Sequence, residues 1–238
     1  MKSGKIKNTA ILIYKMIIYN LRIIFANKFV WFLTGSILFW MGLSVIYVFS
    51  NDVSRMRDLY YVFLISGLLI IFYPAVFGIQ NDQDARTIEI LFGIPDYRYK
   101  VWLVRIVLIF AIAFLIMMVF TLLSSILIVR FRFMNMTAQI MAPVIFLGVM
   151  AFALSTVIRN GNGTAVVMII IGMIFMIMSD PLRKSQWNIF MNPYESPFDV
   201  NEASWAIIIA KNRIILVVGS VLFLLMALFN LQKREKFM

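Results

Sequence analysis

The residues with the most chemical capacity lie in one polar run, QNDQDARTIEILFGIPDYRYK at 80–100, set between two long apolar stretches. Asp84, Arg86 and Glu89 place both signs of charge, and Thr87 a hydroxyl, beside Ile88, Ile90 and Leu91 at helical spacing; Gly93 and Pro95 then stop the helix. It reads as a short amphipathic helix on the inner surface of the membrane. Bond-making chemistry has few reagents here. The chain contains no Cys and no His, which removes thiolate nucleophiles, thiolate or imidazole metal sites, disulfides and imidazole acid–base work. No G-x-x-x-x-G-K-[ST] phosphate loop occurs, so nucleotide is not bound by that route.

Within the apolar stretches the polar or irregular points are Pro74, Thr121, Ser124, Ser125, Pro143, Ser155, Thr156 and Ser220. Hydroxyls at such places bond the preceding helical turn, and prolines kink the helix. Apart from these, the stretches carry no Asp or Glu, which argues against a carrier coupled to protons or sodium. An intramembrane enzyme would need convergent polar groups at one depth, and the pattern offers none.

The elements that carry these residues follow from composition. Hydrophobic residues make up 63% of the 238 and charged residues 14%, with a mean hydropathy of +0.93; a soluble domain is roughly half apolar and a quarter charged. At about twenty residues per crossing, six spans are predicted, at 29–49, 59–79, 101–129, 138–158, 164–178 and 213–231. Arg105 lies near the start of the third and is expected to snorkel toward an interface. The third stretch exceeds the minimum and is expected to tilt or protrude. Gly148, Ala151, Ala153, Ser155 and Gly172 allow close helix approach. The 17 Met residues read as adaptable lipid-phase filler.

The 22 Lys and Arg against 11 Asp and Glu do not form a nucleic-acid face, because they gather at span ends, where they set orientation. With six spans both termini share a side. Cytoplasmic termini leave fourteen of the 22 basic residues inside and eight outside, so both ends are expected in the cytoplasm. The opening MKSGKIKNTA is basic like a signal peptide, but the apolar stretch after it contains Lys15 and Arg22 and lacks an A-x-A-like cleavage site, so it is read as retained. In 5–27, Asn8, Lys15 and Arg22 recur every seven residues, giving a narrow polar stripe on an apolar helix suited to the interfacial plane; the alternative is an additional, imperfect span. The segment 179–212 is long and external on this topology. Its Pro181, Pro193, Pro197, Trp187, Tyr194 and Trp205 predict a chain that hugs or partly re-enters the outer leaflet.

The 80–100 run resembles the coupling region of the permease subunits of type 2 ABC exporters. There an acidic residue precedes a stretch close to G-T-x-E-x-L-L, followed by Pro and then a basic residue entering the third span. The corresponding residues are Asp84, Arg86, Thr87, Ile88, Glu89, Ile90, Leu91, Pro95 and Arg105, with Arg86 where Gly is common and Asp84 where Glu is usual. Asn192 with Pro193, and Asn212 with Arg213, also fall where many members have similar residues. The resemblance implies an all-α polytopic membrane protein of six transmembrane helices. A cytoplasmic N-terminus with an interfacial helix would occupy 1–28, the six-helix domain 29–231, with a cytoplasmic coupling helix within 80–100, and a cytoplasmic tail 232–238. It further implies residence in a bacterial plasma membrane, surrounded by lipid. Partners would be two separate ATPase subunits and a second permease copy or paralogue, with ATP and Mg on the ATPases and no cofactor, metal or catalytic residue in this chain. The cargo would be hydrophobic or amphipathic: a lipid, peptide or drug-like molecule moved outward. The alternative is a membrane scaffold or immunity component that binds a ligand or partner without moving it.

Overall fold

The computed structural model describes Ile18 and residues 28–49, 56–84 and 98–232. Among these, six helices are long and apolar enough to cross a membrane. They are α1 (Phe29–Phe49), α2 (Met56–Asp84), α3 (Val104–Leu127), α4 (Phe133–Ile158), α5 (Gly161–Ser179) and α6 (Glu202–Asn230). A π-helical turn, Arg98–Leu103, leads into α3. The interfacial helix expected in 5–27 lies, apart from Ile18, outside the described residues, and so does the 85–97 part of the coupling segment expected at 80–100.

α2 and α4 form the centre. In their most apolar windows 67% and 78% of residues are buried, against 17% to 33% for the other four helices. Side-chain size explains how closely they pack. A Cβ on Gly67 of α2 would stand 2.9 Å from Val144 Cγ2 of α4. One on Gly148 of α4 would stand 2.7 Å from Ile71 Cδ1 and 2.9 Å from the Phe110 ring. These glycines bring helix surfaces together where lipid supplies no hydrophobic drive and contact area must do the work.

The outer helices attach by specific polar links. Ser36 of α1 donates to the Ser66 carbonyl of α2 at 2.9 Å. Trp40 donates Nε1–H to Ser124 Oγ of α3 at 3.0 Å, with its ring stacked on Phe120 at 4.6 Å. Thr121 and Thr137 join α3 to α4 hydroxyl to hydroxyl at 2.7 Å. Thr121, Ser155, Thr156 and Ser220 do bond carbonyls of their own preceding turn. Ser124 and Ser125 instead serve other elements, accepting from Trp40 and donating to the Phe131 carbonyl respectively.

Between α4 and α5 the chain reverses in two residues. Arg159 adopts the left-handed conformation at φ 59° and returns its N–H to the Ser155 carbonyl, closing α4. Asn160 then caps α5 by accepting from the Gly163 N–H at 2.9 Å. Gly161 must be glycine, since a Cβ there would run into Phe77 and into Gln80 Oε1, which accepts the Gly161 N–H.

The expected external stretch 179–212 divides in two. Residues 180–201 are turns, and α6 starts at Glu202, eleven residues before the predicted span at 213. Asn201 accepts from the Ser204 N–H at 2.7 Å and so starts the helix early. Ala206, Ile207, Ile208, Ile209 and Ala210 then extend it to Lys211 and Asn212, which hydropathy alone takes for a loop.

Candidate functional site

Two polar centres sit at opposite ends of the bundle. The first lies at the end that carries Lys28, Asp84 and Arg159. α2 runs past the predicted limit of 79 as far as Asp84, which carries Asp82 into the packed interior. There Asp82 accepts from Arg105 Nη1 at 2.7 Å, with both side chains almost wholly buried, at 6% and 5% exposure. Trp102, one turn earlier on the same face, places its ring beneath the guanidinium at 4.7 Å and leans on Phe152 of α4. Arg105 Nε and Nη2 have no hydrogen-bond partner among the described residues. The expectation that Arg105 snorkels to a free interface is therefore corrected: an acidic partner on α2 and an aromatic platform make the interior tenable for it. Asp82 lies three residues beyond the predicted span 59–79, so the helix outruns its apolar stretch and the added turn holds a buried carboxylate.

Beside this pair a cleft of about 570 Å³ is lined by Lys28, Tyr73, Gln80, Asn81, Asp84 and Asn162 among others. Tyr73 and Asn81 bond each other at 3.1 Å, and Gln80 donates to Asp84 at 3.4 Å. Of the residues that resemble the coupling motif, Asp84 is the last of α2 and Arg105 lies in the first turn of α3. Arg86, Thr87, Ile88, Glu89, Ile90, Leu91 and Pro95 lie outside the described residues. The acidic residue that meets Arg105 is Asp82 rather than Asp84. Its signal was present in the sequence as a second acid two residues before Asp84, on a helix long enough to bury it.

The second centre occupies the 180–201 end. Arg213 of α6 donates Nε–H to Gln139 Oε1 at 2.8 Å, Nη1 to Asn212 Oδ1 at 2.9 Å, and Nη2 to both the Tyr60 hydroxyl and the Met191 carbonyl at 3.3 Å. Asn212 donates to the Gln186 and Asn188 carbonyls at 2.9 and 2.8 Å. Asn192 donates to the Arg57 carbonyl at 2.8 Å. Asn192 and Arg213, separate signals in the sequence, thus meet around one turn and tie α2, α4 and α6 to the 180–201 segment. Burial pushes the Tyr194 hydroxyl above its ordinary range, aided by Tyr60 and opposed by Arg213, so it remains a neutral phenol.

Next to this knot, Glu195 is shared by two arginines: Arg183 Nη2 lies at 2.6 Å and Arg57 Nε at 3.3 Å. The Tyr61 hydroxyl donates to it at 3.4 Å. Lys184 pairs with Asp199 nearby, and that hydrogen bond holds the Asp199 carboxyl below the usual aspartate value. No group of three or more potential metal-ligating acids, Cys or His is found among the described residues. The arrangement is one of packing: two polar ends, each held by ion pairs and hydrogen bonds, joined by apolar helices. Comparison with family models, curated proteins and solved structures finds no match to this chain.

Proposed function

We propose that this chain is the membrane permease subunit of a type 2 ABC exporter, working in a bacterial plasma membrane with both termini cytoplasmic. Two separate ATPase subunits would carry ATP and Mg, and a second permease copy or paralogue would complete the pathway for a hydrophobic or amphipathic cargo. The reading rests on the run from Asp84 to Pro95, which resembles the family's coupling motif. Its support in the fold is mechanical. That run leaves the end of α2 and returns into α3, and the two helices it joins are locked together by Asp82 and Arg105. A displacement applied to the connecting segment would therefore move α2 and α3 as a unit, and α2 is one of the two central helices.

The test is to co-purify the full chain with a candidate ATPase from the same cell and measure nucleotide hydrolysis in lipid. The expected result is a stable complex whose hydrolysis depends on this chain, with that dependence lost on Glu89→Lys or on deletion of 86–91. If both variants bind and stimulate the ATPase as the native chain does, the coupling role is wrong. ATP-independent ligand binding with no transport into inverted vesicles would favour the scaffold or immunity reading instead.

A further inference from the structure

Two cavities of similar size lie one above the other on the same pair of helices. The first is an open-sided groove of about 180 Å³ between α2, α4 and α5, walled by Ile71, Phe72 and Leu147 and floored by the small residues Ala75, Gly148 and Gly172. The second is a recess of about 180 Å³ at the 180–201 end, where Arg57, Arg183, Asp180, Glu195, Asn188 and Asn192 supply most of the wall. Both are far larger than the ~15 Å³ that one water needs.

Their relative position follows from helix geometry. On α2 the recess takes Tyr61 and the groove Leu68; on α5 the recess takes Ser179 and the groove Gly172. Each step is seven residues, or about 10 Å at 1.5 Å per residue. The two helices run in opposite directions, so both steps descend from the same end toward the middle of the bundle. The 188–191 turn borders both spaces, giving Phe190 to the groove and Asn188 and Met191 to the recess.

The charges of the recess select what sits in it. Arg57 reaches Glu195 through Nε and Arg183 through Nη2, which leaves further N–H donors of both guanidinium groups without a partner among the described residues. The Asp180 carboxylate, at the end of α5, likewise makes no contact of its own there. Two cations and two anions line the space, so a bare anion gains little net attraction, whereas a zwitterion can satisfy both signs. A phosphate fits the arginine forks, which bind such oxygens in bidentate fashion. A primary ammonium, with N–H donors, fits Asp180.

We infer that the groove and recess together bind one amphiphile with a zwitterionic phosphate–amine headgroup, its acyl chain lying between α2, α4 and α5 and its headgroup held by Arg57, Arg183 and Asp180. The site stands apart from the ATP-coupled reading, because binding needs neither nucleotide nor ATPase. Where that reading holds, the site names the class of cargo.

The test uses the full chain alone, in a non-ionic detergent, titrated and followed by native mass spectrometry. The probes are a lysophospholipid with a phosphoethanolamine head, one of equal chain length with a phosphoglycerol head, and soluble phosphoethanolamine. The expected result is binding of the first about tenfold tighter than the second, with no detectable binding of the third. Gly172→Leu is the steric control: a Cβ at Gly172 meets nothing within 4 Å, so the variant folds while filling the groove, and it lowers affinity for both lysolipids about tenfold. Asp180→Asn keeps chain binding but abolishes the preference between headgroups, whereas Arg57→Gln with Arg183→Gln lowers affinity for both lysolipids and keeps the preference for the ammonium head. Equal affinity for the two lysolipids overturns the headgroup assignment. Unchanged binding in a Gly172→Leu variant of native thermal stability overturns the groove.

Discussion

Removing Asp82 should cost more than removing both partners of its pair. At 2.7 Å the attraction between Asp82 and Arg105 is about 6 kcal/mol at an effective dielectric of about 20. Desolvating two ions costs several kcal/mol each, so the pair as a whole contributes little net stability. A single substitution is different. Asp82→Leu leaves the guanidinium almost wholly buried with no carboxylate at Nη1, in addition to the Nε and Nη2 already without partners. Its expected cost is about 3–5 kcal/mol, and Arg105→Met, which takes the guanidinium away from Asp82, should also destabilise. The double variant replaces the pair by apolar side chains of comparable size and should lie within about 1 kcal/mol of the native chain. The assay is reversible unfolding in mixed micelles by SDS titration, followed by far-ultraviolet dichroism. Intrinsic fluorescence, to which Trp102 under the guanidinium contributes with the other four tryptophans, gives a second signal. Single losses that simply add in the double variant, or an Asp82→Leu variant as stable as the native chain, would refute the coupling deduced from this geometry.

Three further outcomes can be checked in the same format. Gly148→Val should lose about 1–3 kcal/mol by overpacking against Ile71 and Phe110, while Gly35→Ala, where a Cβ meets nothing within 4 Å, should lose nothing on the same unfolding curve. Arg213→Met and Arg213→Lys should both destabilise, by about 1–3 kcal/mol for each buried acceptor left unpaired, because an ammonium cannot span Gln139, Tyr60 and the Met191 carbonyl together; Arg130→Met at an exposed site should change stability by less than about 0.5 kcal/mol. The Asp199 carboxyl titrates lower in the folded chain than its unfolded value of about 3.9. Its stabilising contribution is therefore complete above that value and is lost as pH falls through the lower folded one. Asp199→Asn should thus be less stable than the native chain at neutral pH, converge with it in acid, and show a smaller difference at high salt.

Much of the architecture was legible because a lipid solvent writes a coarse code: about twenty apolar residues for each crossing. The apolar stretch at 29–49 and helix α1 share the same limits, Phe29 and Phe49. Departures occur where polar residues continue a helix. Hydropathy drops at Asn81, Asp82 and Asp84, yet α2 continues through them, since Arg105 and the surrounding side chains satisfy what lipid could not. It drops again at Lys211, Asn212 and Arg213, where α6 runs on because the 180–201 turns offer carbonyls to Asn212 and Arg213. The amphipathic pattern at 84–91 was visible from local spacing, and its likeness to a coupling motif from a resemblance. The buried pair behind it was not, because its members are 23 positions apart and only helix packing brings them together.

By itself, then, the sequence determined that this chain is built of long apolar helices, that it has no thiol or imidazole chemistry, and that its most reactive-looking polar run falls between the second and third stretches. Those properties are local or compositional, and they depend on no neighbour. Tertiary structure decided which helices are central, that Asp82 rather than Asp84 meets Arg105, and that Asn192 and Arg213 belong to one knot. It also set a charged recess above an apolar groove on α2 and α5. Each of these joins residues far apart in the chain, and their energies arise from burial and pairing between helices, which hydropathy along one strand of sequence does not encode.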